Sequence, residues 1–211
     1  MINLIYNLFN NLKKGPIMKK IVCALLVAGF ISTPAMADKK TERKGYFYGI
    51  RFETQDALGG TDANTYGMKF GKHIAPWMDL SVSTRVKDKN EAGSNGNDTR
   101  LEAGVKFKQK LSDRWSSSLY LGVGDKYVKN DNFSYWAVTP GLKYKLNDKW
   151  SIGTSVRFRD SFNTEHQQND TTYAAKLGYK ITPDTTIDLR YRIKRGDSDY
   201  NAIGMGLSFE F

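Results

Sequence analysis

The chain has 211 residues, a formal net charge of +10 and a mean hydropathy of −0.54. Such low hydropathy excludes a bundle of apolar membrane helices, and a single cysteine, Cys23, excludes a disulfide within the chain.

Residues 1–17 read as an upstream extension, because Lys14-Gly15 back-translates to AAR-GGN shortly before the Met18 codon. Met18 then opens a secretory signal over 18–37. Lys19 and Lys20 form its charged start, Ile21 to Ser32 its apolar core, and Ala35-Met36-Ala37 the small-x-small cleavage site. The core is too short to span a bilayer as a helix. Cys23 follows Lys20-Ile21-Val22, which is not a lipobox, so no lipid anchor is expected. The expected mature chain is one domain, 38–211. Without Lys13, Lys14, Lys19 and Lys20 its charge is +6, and no later run is apolar enough for a membrane helix.

One short phrase then recurs: Lys72-His73-Ile74-Ala75-Pro76-Trp77, Lys110-Leu111-Ser112-Asp113-Arg114-Trp115, Lys145-Leu146-Asn147-Asp148-Lys149-Trp150 and Lys180-Ile181-Thr182-Pro183-Asp184-Thr185. Each couples an apolar strand end to a tight turn and a new strand. Three of the four tryptophans follow these turns, a placement suited to a membrane–water boundary. Longer polar stretches lie between them, at 56–62, 88–98, 129–132, 160–170 and 195–199. Four short turns alternating with five longer loops predict ten strands, roughly 45–55, 63–74, 77–87, 98–111, 115–128, 133–146, 150–160, 171–181, 185–194 and 200–211. Short periplasmic turns and long external loops are the pattern of an outer-membrane barrel. The expected class is therefore all-β: an antiparallel up-and-down transmembrane β-barrel of about 10 strands, with 8 or 12 as alternatives.

Within each strand the polarity alternates. Leu101, Ala103, Val105 and Phe107 oppose Arg100, Glu102, Gly104, Lys106 and Lys108, while Ile187, Leu189, Tyr191 and Ile193 oppose Asp188, Arg190, Arg192 and Lys194. A helix would require apolar residues three and four apart. With the apolar face toward lipid, the inner face carries Arg51, Lys69, Arg85, Lys87, Arg100, Lys106, Lys108, Lys126, Lys143, Lys145, Arg157, Arg159, Lys176, Lys180, Arg190, Arg192 and Lys194. Its acids are Glu53, Asp79, Glu102, Asp188 and Glu210, a surplus of twelve positive charges, with Asp98 and Asp170 assigned to loops. Such a surplus in a confined space draws in anions. Tyr120, Tyr135 and Phe47 also point inward. Inward glycines, Gly104, Gly122 and Gly124 among them, are expected either to widen the lumen or to relieve strand curvature.

An enzyme is not expected. The chain has two histidines, His73 in a turn phrase and His166 in a loop beside Glu165, and neither belongs to an evident nucleophile–base set. No cofactor, metal site or nucleic-acid footprint is predicted, because the positive charge occupies one face of every strand in an exported chain. The alternatives to an anion channel are a closed structural, adhesive or lipopolysaccharide-contacting barrel, and a soluble periplasmic barrel with its apolar face inward.

The closing stretch Tyr179-Lys180-Ile181-Thr182-Pro183-Asp184-Thr185-Thr186, then Asp188-Leu189-Arg190-Tyr191-Arg192 and Ile203-Gly204-Met205-Gly206-Leu207-Ser208-Phe209, resembles the end of the oligogalacturonate-specific porin family of KdgM and NanC type. So does Lys110-Leu111-Ser112-Asp113-Arg114-Trp115. The resemblance covers most of 98–211. It implies a narrow monomeric outer-membrane channel for acidic sugars, with Arg190 and Arg192 matching the family's basic strand and Arg157 and Arg159 following the same alternation. That family's barrels have twelve strands where ten are counted here. The terminal apolar series ending in Phe211 resembles the strand that the barrel assembly machinery reads. The expected partners are therefore that machinery, outer-membrane lipid and lipopolysaccharide, and anionic solutes.

Overall fold

A strand whose alternate residues differ in polarity has one oily and one wet face, and ten such strands can hide all their backbone groups only by closing on themselves. The computed structural model describes residues 45–57, 62–89, 98–128, 131–162, 169–196 and 199–211. The upstream extension expected over 1–17, the signal expected over 18–37 and the His166–Glu165 pair lie outside them.

The strands are β1 (Tyr46–Ala57), β2 (Ala63–Ala75), β3 (Met78–Lys89), β4 (Asp98–Lys110), β5 (Trp115–Val128), β6 (Asp131–Lys145), β7 (Trp150–Ser161), β8 (Asp170–Thr182), β9 (Thr185–Gly196) and β10 (Tyr200–Glu210). Each predicted boundary falls within two residues of the observed one. The sheet is a closed antiparallel barrel in which every strand pairs with its sequence neighbours and β1 pairs with β10. Tyr46 and Phe211 exchange both backbone hydrogen bonds, at 2.9 Å each, and seal that seam.

The recurring phrase encodes turn chemistry. Ser112 Oγ accepts from the Trp115 and Arg114 amides at 3.0 and 3.3 Å, and Asn147 Oδ1 accepts from Trp150 and Lys149 at 2.8 and 2.9 Å. A side chain two or three residues ahead thereby holds the reversal in shape. The two phrases with proline are built differently: the register shifts between His73 and Ala75, and again between Lys180 and Thr182. Pro140 lies within β6, where the ladder to β7 skips from Val138–Phe158 to Gly141–Ser155. Proline has no N–H to donate there.

The apolar rows face outward. Ile50, Phe52, Met68, Phe70, Val82, Leu101, Val123, Leu142, Leu189, Ile203 and Met205 are all exposed. So continuous an apolar surface has no place in water, and a lipid environment accounts for it. This arrangement contradicts the soluble alternative, in which those rows would pack at the centre. At the turn end an aromatic belt circles the barrel: Trp77 stacks on Phe107, Trp115 meets Tyr144 at 4.8 Å, Trp150 meets Tyr179 at 4.7 Å, and Tyr46 lies between Phe70 and Phe211. Leu119 faces outward yet is 2% exposed, with bulky Phe107 and Pro140 as its register partners on either side.

Candidate functional site

Alternation places all seventeen predicted bases on the inner face. It also places two more acids there. Asp98 and Asp170, left out of the inner-face acids in the sequence reading, are the first residues of β4 and β8 and are buried inside the lumen. Against the seventeen predicted bases the described residues thus set seven acids instead of five, which corrects that surplus from twelve to ten. Polar composition near a strand start looks like loop, and only the ladder shows that these two carboxylates are already inside.

Toward the loop end the lumen is closely filled by ion pairs. Arg192 holds Glu53, and Gln55 donates to Thr65 at 2.7 Å and to Glu53 at 3.3 Å. Asp98 takes Arg100 at 3.2 Å and Lys126 at 3.4 Å. Asp170 takes Arg159 closely and Lys194 at 3.3 Å. Glu53, Asp98, Lys126, Arg159, Asp170, Arg192 and Lys194 are all buried. Removing one partner from such a pair is costly because a charge is left without compensation. Asp170 is thus committed to Arg159 and Lys194.

Glu102 occupies the middle of the barrel. Tyr120 and Tyr135 each donate to it at 2.9 Å, and Arg157 reaches it with both terminal nitrogens. The arginine comes from β7 and the carboxylate from β4, so this bond crosses in front of β5 and β6. Lys69 lies over the Tyr120 ring at 5.0 Å and Arg159 over Tyr135 at 5.1 Å. The expected inward aromatics are therefore part of the charge network. Two others were missed: Phe133 faces Lys126 at 5.2 Å, and Tyr200 faces both Lys87 and Lys194, at 5.4 and 5.7 Å. Both lie near a strand start, where parity is hardest to assign from sequence.

Several inward glycines do not widen the lumen. A Cβ on Gly104 would lie 2.4 Å from the Tyr120 hydroxyl, and one on Gly122 would meet the same ring at 2.8 Å. On Gly124 it would stand 2.9 Å from the Tyr135 hydroxyl and 2.3 Å from the Leu101 carbonyl. These glycines make room for neighbouring rings.

Toward the turn end the character changes. Asp188 is held by Lys176 at 3.0 Å and Arg190 at 3.3 Å, but Lys143, Lys145 and Lys180 are exposed, and Lys106 lies between them and the middle. His73 is a β2 residue, not a turn residue. Its Nδ1 is 2.6 Å from Asp79 Oδ1, and Lys108 holds the same carboxylate. The inner-face bases of the turn end are lysines, while all seven arginines lie in the middle or toward the loops. Rigid guanidinium forks suit packed carboxylate pairs, and flexible, strongly hydrated ammonium groups suit an open mouth.

The sequence model of the family described as "Putative beta-barrel porin-2, OmpL-like" matches residues 97–206. No curated protein matches the sequence. Among solved structures, the NanC porin superposes with a TM-score of 0.50 at 15% identity, covering 78% of this chain and 100% of its own. An outer-membrane channel from Pseudomonas putida F1 gives 0.52 at 6% identity, covering 85% and 99%. The KdgM porin solved with disordered oligogalacturonate gives 0.46 at 13% identity, covering 78% and 99%. The resemblance read from the turn phrases and closing strands thus holds at the level of the fold. Because the family match spans more than half of its length, the chain belongs to the OmpL-like β-barrel porin family.

Proposed function

We propose that this outer-membrane barrel is an anion-preferring diffusion channel for small anionic solutes, acidic sugars or oligosaccharides among them. The sorting of charge carries this reading: among the described residues the seventeen predicted bases share the inner wall with seven acids, in a chain whose net charge over 38–211 is only +6. Fixed positive charge in a narrow, low-dielectric passage lowers the barrier for anions and raises it for cations. Ten strands lie between the eight that side chains fill and the sixteen that leave a wide aqueous channel, so selectivity at close quarters is the natural regime. The exposed lysines at the turn end form a basic mouth facing the periplasm. Export through the 18–37 signal, assembly through the Phe211 strand, lipopolysaccharide contact and a monomeric state belong to the same proposal.

Planar-bilayer recording of the refolded barrel under a potassium chloride gradient tests it. A reversal potential on the chloride side is expected, weakening from 0.1 to 1 M salt as the screening length falls from about 10 to about 3 Å. Cation preference at neutral pH would overturn the reading. The close filling of the loop end favours a second one, a closed barrel with a structural or adhesive role, and absence of conductance in the same recording would select it.

A further inference from the structure

Five of the seven inner-face arginines hold a carboxylate: Arg100 on Asp98, Arg157 on Glu102, Arg159 on Asp170, Arg190 on Asp188 and Arg192 on Glu53. Arg51 and Arg85 do not. Among the described residues neither side chain makes an ion pair or a hydrogen bond.

These two are also neighbours. In the ladder Arg51 on β1 lies opposite Gly67 on β2, and Gly67 lies opposite Arg85 on β3. Two strand spacings, about 9.6 Å, separate their backbones, and the residue between them carries no side chain. Unlike Gly104 and Gly122, Gly67 is not covered by a neighbouring ring. A Cβ there would meet only the Thr84 carbonyl at 3.5 Å and Arg51 Cβ at 3.9 Å. The result is a saddle of bare backbone with a guanidinium on either side.

The charges around this saddle include Arg190, Arg192 and Asp188 from β9, Glu53 from β1, Arg100 from β4, Lys69 from β2 and Lys176 from β8. Each acid has a basic partner, Glu53 in Arg192 and Asp188 in Lys176 and Arg190, and Glu53 Oε2 accepts no hydrogen bond. Bases thus outnumber carboxylates around the saddle, and neither Arg51 nor Arg85 has an ion pair of its own among the described residues. A guanidinium presents parallel N–H groups that match two oxygens of one oxyanion.

We propose that Arg51 and Arg85, across Gly67, form a discrete binding site for one oxyanion group, a carboxylate or a phosphate, carried by a solute in the lumen. The site rests on the channel reading for delivery of its ligand. Its existence can be measured on a barrel that does not conduct.

The test uses refolded barrel with inorganic phosphate and with acetate as probes. Binding is read by calorimetry in detergent, and block of the chloride current is read in bilayers. Arg51→Gln and Arg85→Gln should each raise the half-saturating phosphate concentration by about tenfold or more, the scale of one charge-assisted contact. Arg51→Lys, which keeps the charge and the fold, should weaken phosphate binding because it loses the fork. Lys149→Gln, in an exposed turn, should leave it unchanged. Undiminished phosphate binding in the Arg51 and Arg85 variants overturns the proposal, as does a wild-type barrel that binds neither probe. Binding of either probe, lost in those variants, supports it, and the tighter probe identifies the group. A barrel without current whose Arg51→Gln variant loses phosphate binding keeps the site and ends the channel reading. Anion current indifferent to phosphate and to both arginines does the reverse.

Discussion

Replacing Glu102 with glutamine removes one negative charge and almost no volume from the point where β4 is tied to β7. The carboxylate accepts from Tyr120 and Tyr135 at 2.9 Å each and from both terminal nitrogens of Arg157. A glutamine has one acceptor oxygen for these donors and turns its own N–H groups toward the guanidinium. Breaking a buried pair by removing one partner costs about 3–5 kcal/mol. The Arg157 side chain is 27% exposed, so water recovers part of that and a loss of about 2–3 kcal/mol is expected. Urea unfolding of the refolded barrel measures it. With a slope of about 1–3 kcal/mol per molar, the midpoint should fall by about 1 M. The same variant adds one net positive charge to the lumen, so its reversal potential should move further toward chloride. An unchanged midpoint would refute the reasoning, showing that lumen water satisfies Arg157 and the two phenols as well as Glu102 does.

The glycines make a sharper steric test. Gly124→Ala places a Cβ 2.3 Å from the Leu101 carbonyl and should destabilise by about 1–3 kcal/mol, whereas Gly153→Ala, with nothing nearer than 3.4 Å, should change stability by less than about 0.5 kcal/mol. Equal effects would mean that the rings do not need the space. Deleting Phe211 removes two seam hydrogen bonds and a ring contact, and should lower stability by about 1–3 kcal/mol; heat-modifiable gel mobility reports it, and a wild-type melting profile would contradict the closure described. Single-tryptophan variants retaining Trp77, Trp115 or Trp150 should be quenched by lipids brominated near the headgroup more than by deeply brominated ones. Stronger quenching by aqueous iodide than by either lipid would place the turn end in water.

Much of the architecture was legible because its causes are local. The phrases around Pro76, Ser112, Asn147 and Pro183 announce their reversals through residues within a few positions of one another. Leu101, Ala103, Val105 and Phe107 declare their face by parity alone. Where the signal failed, it failed at strand starts. Asp98 and Asp170 each close a polar stretch that reads as loop, so nothing local says that their side chains already point inward, and His73 is a strand residue in a phrase that otherwise reads as turn.

Sequence alone determined the strand number, the side of residues within the strands and the sign of the charge excess, because a two-residue period and a turn signature survive in any stretch of extended chain. Closure decided everything that depends on who meets whom. Arg192 finds Glu53 from 139 positions away and Arg157 finds Glu102 from 55, separations set by which strands curve toward each other around the axis. The filled glycines, the paired arginines and the two left over at Gly67 follow from that curvature, and no one-dimensional pattern records it.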